Sequence, residues 1–252
     1  MNKIALITGA TSGIGKACAE VLAENNFDLI ITGRRNDRLN KLSDDLKQNH
    51  NIKILTLNFD VRERNKVEKI LNDLPDEWKS IDVLINNAGL AAGVDPIQKG
   101  DINDWDRMID TNVKGLLYVS RTIIPWMVER KKGHIVNIAS IAGKEVYPNG
   151  NVYCASKYAV DALSKGMRID LVKYGIKVTN IAPGMVETEF SDVRLHGDLE
   201  AAKNVYKGFK PLKAEDIADT VWFALSRPAH VQIGDVLILP TAQASATNVK
   251  RD

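Results

Sequence analysis

The 252-residue chain contains only two cysteines, Cys18 and Cys154, four histidines and no long apolar run. Two thiols so far apart make neither a disulfide framework nor a metal-ligand spacing. This excludes a small stapled secreted domain and fits a reducing, cytoplasmic setting. His50, His134, His196 and His230 show no metal-ligand spacing either, so no metal is expected and none of the four is assigned to catalysis. Cys154 adjoins Tyr153 but reads as an inert buried thiol. Charged or polar residues interrupt every apolar stretch well short of a bilayer's thickness, which excludes a membrane span. Met1–Ile7 superficially resembles a weak signal peptide, but its apolar part is too short and runs into glycine, so it reads as a first strand. A formal net charge of +2 creates no field for nucleic acid.

The chain does contain a regular alternation. Short β-branched runs at 4–7, 29–32, 54–57, 83–85, 135–138, 178–181 and 236–239 read as strands. Most are nearly continuous apolar segments, as expected of strands covered on both faces. Segments of helical period separate them, at 13–25, 37–49, 64–74, 104–130, 152–174 and 214–226. The 44% apolar composition supports one sizeable core. The pattern predicts an α/β fold, a doubly wound parallel sheet of about seven strands in a single domain spanning 1–252. Only 185–213 breaks the rhythm, and it reads as a lid-like insertion beside a site.

The first predicted strand ends in Thr8-Gly9-Ala10-Thr11-Ser12-Gly13-Ile14-Gly15 and passes straight into a helix. Glycines at 9, 13 and 15 permit a tight turn, close approach to a diphosphate and close helix–strand packing. The helix N-terminus then offers free N–H groups to phosphates. The second strand ends in Arg34-Arg35, where an NAD site usually carries an acid. Two guanidinium groups suit a 2′-phosphate, which favours NADP. The alternative is a pair of solvated charges, with Asp37 serving a ribose. Asp60-Val61 closes the third strand, where Asp60 either accepts from an adenine amino group or caps the next helix. Asn87-Ala88-Gly89 follows the fourth, either beside the adenosine ribose or stabilising backbone.

Tyr153 and Lys157 lie four residues apart in a predicted helix and share a face. Ser140 ends the fifth strand, so all three converge at the carboxyl ends of the strands. Carbonyl–carbinol interconversion needs a proton moved at oxygen. A tyrosine hydroxyl does this when a nearby ammonium favours its phenolate, and a serine hydroxyl holds the substrate oxygen. Asn112 sits inside a long helical segment that suits it poorly. It marks either a bend holding a water linked to Lys157 or a cap between two helices.

Together these residues resemble the short-chain dehydrogenase/reductase family over essentially the whole chain. The resemblance implies a Rossmann fold, Tyr153 as general acid/base, Lys157 lowering its pKa and binding the nicotinamide ribose, Ser140 orienting substrate and Asn112 completing a proton relay. It further implies that the backbone following Pro183-Gly184, through Val186 to Thr188, meets the nicotinamide end. A narrower likeness lies in Glu187–Arg194, Pro228–Val231 and Pro240–Gln243, which resemble NADP-dependent 3-hydroxy acid dehydrogenases. Serine, allo-threonine and 3-hydroxypropionate, or in reverse malonic semialdehyde, are the implied small-molecule substrates. A carboxylate needs a cation, and Arg194 is the candidate, with a surface or inter-subunit arginine as the alternative. A broad carbonyl reductase and a non-catalytic NADP(H) sensor are the competing functions. The family also implies a homotetramer paired through the helices at 104–130 and 152–174.

Overall fold

The computed structural model describes residues 2–252. Seven strands form one parallel sheet: β1 (Ile4–Ile7), β2 (Asp28–Gly33), β3 (Ile54–Asn58), β4 (Ile81–Asn86), β5 (His134–Ile138), β6 (Lys177–Pro183) and β7 (Asp235–Ile238). Their spatial order is β3-β2-β1-β4-β5-β6-β7. The chain starts at β1, winds outward to β3, then crosses back to β4 on the other side of β1. That reversal opens a crevice at the carboxyl ends of β1 and β4, where open sheets of this kind bind ligands.

Both faces of the sheet are covered, which explains the continuous apolar strands. Ala5, Ile7, Leu29 and Ile31 face one core, shared with the helices α1 (Gly13–Glu24), α2 (Asn36–Asn49) and α9 (Ala214–Leu225). Ile4, Leu6 and Ile30 face the other, shared with α3 (Arg64–Asn72) and α5 (Leu116–Arg130). Alternate residues thus point to opposite sides, and each side is apolar. Among the described residues no helix is long and apolar enough to cross a membrane, and no cluster of side chains is arranged to hold a metal.

Three departures from the expected elements bear on the site. The helical segment expected at 104–130 begins two residues earlier, as α4 (Ile102–Ile109), and passes through a six-residue π-helical turn, Asp110–Gly115, into α5. Asn112 lies in that wide turn, so it is not a cap between separate helices. The expected helix at 152–174 is α6 (Asn151–Leu171), tightened into a 3₁₀ turn at Val172–Tyr174. The insertion at 185–213 is not a plain loop. It contains two short helices, α7 (Phe190–Arg194) and α8 (Leu199–Val205).

Candidate active site

A cavity of about 620 Å³ opens over the carboxyl ends of the strands. Every residue proposed from sequence lines it except Gly15 and Asn112. Those two shape it from behind.

The turn after β1 forms one end of the cavity, the end expected to take the adenosine and diphosphate. Gly13 has φ +53°, a region costly for any residue with a side chain, and a Cβ there would meet Thr188 at 3.3 Å. Gly15 packs against the backbone: a Cβ would lie 2.4 Å from the Gly9 carbonyl and from the Asn87 amide. Asn87 Nδ2 donates to the Thr8 and Gly9 carbonyls at 2.9 and 3.1 Å. It therefore holds the turn from the next strand as well as lining the cavity. Arg35 is firmly placed, with Nη2 donating to Thr11 Oγ1 (2.8 Å) and Ser12 Oγ (2.7 Å). Arg34 is mostly exposed and stands 3.8 Å from Asp60. Asp60 does not cap α3, whose N-cap is Glu63. Instead its carboxylate pairs with Arg62 at 2.7 Å, and Arg62 and Arg34 hold it below the usual carboxylate range against its partial burial. Asp37 is exposed in the first turn of α2 and does not line the cavity.

At the other end, α6 delivers Tyr153 and Lys157 to the cavity, 8% and 5% exposed. The Lys157 ammonium lies 5.9 Å from the Tyr153 ring centre and donates to the Ile138 carbonyl at 3.0 Å. Ser140 Oγ accepts from Ala142 N at 3.1 Å. Its own proton is only loosely held by the Pro183 carbonyl at 3.5 Å, which leaves it free to turn towards a substrate oxygen. Burial pushes the Tyr153 phenol above the ordinary tyrosine range and Tyr147 adds to this, while a hydrogen bond with Ser140 and the Arg194 charge oppose it. Burial also pushes the Lys157 ammonium down to about 8. Cys154 is buried with its thiol raised by desolvation, consistent with an inert sulfur.

The π-helical turn explains Asn112. Its amide is satisfied in both directions by Leu90, accepting from Leu90 N and donating to Leu90 O, each at 2.8 Å. It also donates to Ser156 Oγ at 2.9 Å. Gly89 is squeezed between Asn112 and Lys157, since a Cβ on it would lie 3.2 Å from Asn112 Oδ1 and 3.4 Å from Lys157 Nζ. Asn112 thus sets the chain that separates it from the lysine.

The segment after β6 closes the cavity. Pro183, Gly184, Val186 and Thr188 line it, and α7 brings Arg194 to the Tyr153 end. The Arg194 guanidinium sits 5.5 Å from the Tyr147 ring centre and 5.9 Å from that of Tyr153. Arg194 Nε is buried without a hydrogen-bond partner.

Several lining residues went unnoticed as site residues in the sequence, and four of them stand out by their contacts. Phe190 packs on Tyr153 with ring centres 5.7 Å apart. Tyr147 reaches the site from the connection before α6. Tyr206 on the far side of α8 bonds to Ser191 Oγ (2.7 Å) and to the Val186 carbonyl (2.8 Å). Gln243 accepts from Met185 N at 2.9 Å, bringing the C-terminal tail into the wall. Phe190 and Gln243 lay within the stretches that carry the narrower family likeness, but no local pattern marked Tyr147 and Tyr206.

A parallel sheet with a glycine turn at its switch point, a tyrosine and lysine one helical turn apart, and a serine facing them defines a dehydrogenase cleft. The chain belongs to the short chain dehydrogenase family, whose profile matches residues 3–197. It is 47% identical over 244 residues to the NADP-dependent 3-hydroxy acid dehydrogenase YdfG of Salmonella typhi, covering 96% of this chain and 97% of that one. It is 43% identical over 254 residues to sulfoacetaldehyde reductase 2 of Chromohalobacter salexigens, covering all of both chains. Among solved structures, the closed form of serine dehydrogenase complexed with NADP+ superposes with a TM-score of 0.92 at 45% identity, over 99% of this chain and 100% of that one.

Proposed function

We propose that this NADP-dependent oxidoreductase acts on small 3-hydroxy acids, with Tyr153 as the proton-transfer group. The observation that carries the reading is that Arg194, with a buried donor left unpartnered, faces the same phenol that Ser140 and Lys157 flank. An anionic substrate with a hydroxyl near its carboxylate suits that pair of groups.

The cavity fits NADP(H). Its volume lies in the range of small-molecule sites. Gly13 and Gly15 leave the turn bare of side chains, the α1 N-terminus faces the diphosphate end, and Arg34 with Arg35 favours a 2′-phosphate over a bare ribose. The relatives named NADP-dependent support the same cofactor. When bound, the nicotinamide donates or accepts the hydride.

The chain's own residues manage the proton. Burial keeps the Tyr153 phenol protonated at neutral pH. It is therefore ready to give its proton to a carbonyl oxygen in reduction. Reduction leaves a phenolate, which the positive charge of Lys157 favours; in oxidation that phenolate takes the hydroxyl proton and becomes the phenol again. The loosely held Ser140 proton stabilises charge on the substrate oxygen. Lys157 keeps two donors beyond its bond to Ile138, enough for a ribose hydroxyl and the phenolate side. Asn112 holds Leu90 and thereby the Gly89 backbone beside Lys157. The walls of the cavity come from Gly9 through Ala246, so the whole chain works as one unit.

The test is to follow NADP reduction with serine, allo-threonine, 3-hydroxypropionate and an uncharged alcohol side by side. Turnover of the acids over the alcohol is expected, with the preference lost in Arg194→Ala. Equal use of all four overturns the reading in favour of a broad carbonyl reductase. Cofactor binding without any turnover favours a sensor. A sulfonate suits the same guanidinium, and the full-length likeness to a sulfoacetaldehyde reductase makes sulfoacetaldehyde the second substrate to assay. A homotetramer accords with exposed apolar residues on its expected contact helices, Leu117 on α5 and Ile169 on α6. Light scattering should report four chains.

A further inference from the structure

The described surface carries a second anion-on-arginine arrangement, at the adenosine end rather than the substrate end. Glu189 immediately precedes α7 and belongs to the substrate loop. Its carboxylate nevertheless reaches the turn after β2 and the first turn of α2. Oε2 lies 2.8 Å from Arg35 Nη1, and Oε1 lies 2.7 Å from Arg38 Nη1. The partners are 154 and 151 residues away in sequence. These two guanidinium groups hold the carboxyl below its usual range.

Consecutive residues around Glu189 reach very different parts of the cavity. Thr188 lies over Gly13 at the diphosphate turn. Phe190 packs on Tyr153, and Arg194, one turn further along α7, faces Tyr147 and Tyr153. A five-residue helix has little stability of its own, so its placement depends on such anchors. Glu189 is the anchor at its start.

Arg35 therefore stands between Glu189 and the corner expected to take the 2′-phosphate. Its other edge is already committed to Thr11 and Ser12, the hydroxyls that share its corner of the cavity. A 2′-phosphate entering that corner meets a guanidinium partly neutralised by Glu189. We propose that Glu189 is a positioning residue that moors the substrate loop to the cofactor's 2′-phosphate site, placing Phe190 and Arg194 at Tyr153 while weakening the hold of Arg35 on the phosphate. The loop is secured at some cost to cofactor affinity. The substrate half of this statement rests on Arg194 as the carboxylate anchor; the cofactor half does not.

Glu189→Gln tests it, because the amide keeps the shape and removes the charge. Dissociation constants for NADP and NAD are measured by quenching of intrinsic fluorescence, without turnover, and KM for 3-hydroxypropionate is measured separately. NADP should bind about threefold or more tightly, with NAD changed by less than twofold, as expected for removing one half-exposed charge from a shared arginine. KM for the acid should rise severalfold, more than kcat falls. These opposite signs distinguish mooring from a general loosening, which weakens both cofactors or neither. Weaker NADP binding, a parallel change for NAD, or an unmoved KM overturns the proposal. If the unmodified protein turns over no hydroxy acid, the substrate assignment fails and the two cofactor constants still decide the role of Glu189.

Discussion

The two ends of the cavity are built in different ways. The turn from Gly9 to Gly15 is a matter of local chain geometry: Gly9 and Gly13 take positive φ, and a Cβ on Gly15 would lie 2.4 Å from the Gly9 carbonyl. The 185–213 segment is a matter of distant partners. Its placement depends on Arg35 and Arg38, on the Gly93 N–H bonded to the Arg194 carbonyl at 2.9 Å, and on His196 Nε2 lying 3.0 Å from the buried Asp104 carboxylate. The first arrangement is written in a few adjacent residues, whereas the second exists only after the chain has folded. The first should therefore be brittle to single substitutions, and the second should fail by degrees.

Four changes probe that contrast. The largest effect is expected for Tyr153→Phe, which removes one oxygen from the locally encoded tyrosine–lysine pair. Turnover should fall by about 10²- to 10⁴-fold, the usual contribution of a positioned acid/base group, with NADP affinity retained in a binding titration. Next comes Gly15→Val. Its branched side chain would overlap the Gly9 carbonyl and Asn87. NADP and NAD binding should be lost together and the thermal midpoint lowered, with destabilisation of about 1–3 kcal/mol. A protein that still binds both cofactors normally would show that the turn is less brittle than its geometry indicates.

Arg194→Ala acts on the loop and should be milder. KM for hydroxy acids should rise about 10-fold or more, the scale of a lost charge-assisted hydrogen bond, with little change for an uncharged alcohol. The smallest effect on activity is expected at His134, which lies in neither region. His134 is buried on β5 and donates through Nε2 to Thr179 Oγ1 at 2.8 Å, since the Thr179 hydroxyl itself donates to the Ile233 carbonyl. Burial first and the nearby Lys177 second push its imidazole from 6.5 down to about 4. The folded chain thus resists a proton that the unfolded chain accepts. The stability this gives is complete above about pH 6.5 and is lost as the pH falls towards 4. His134→Gln should flatten that acid limb in denaturant titrations and leave rates at neutral pH within about twofold, as expected for a change remote from the site.

Much of this arrangement was legible in the residues. The seven strands were visible because burial on both faces demands apolar runs that helices and loops here do not share. The cavity end at Gly9–Gly15 and the partnership of Tyr153 with Lys157 were visible because each depends on spacing along a single element. The π-helical turn at Asp110–Gly115 was not. What stabilises it is the Leu90 backbone, which satisfies the Asn112 amide from 22 residues away. Asp60 was read as a possible helix cap because the local pattern allowed it, and its pairing with Arg62 decided otherwise. Tyr147 lies in no pattern with period or spacing, and Gln243, though inside the Pro240–Gln243 stretch, carries no local sign of a place in the cavity wall. They enter the cavity wall only where connections and the tail fold back over the sheet.

The amino-acid sequence alone determined the sheet, its winding, the bare turn for a dinucleotide and the tyrosine–lysine pair, because each follows from periodicity or from neighbours a helical turn apart. Only the tertiary structure decided where α7 sits, which anion Arg35 holds, and what faces the Arg194 guanidinium. Those depend on charges and backbone groups far apart in the chain, whose distances are set by the packing of everything between them.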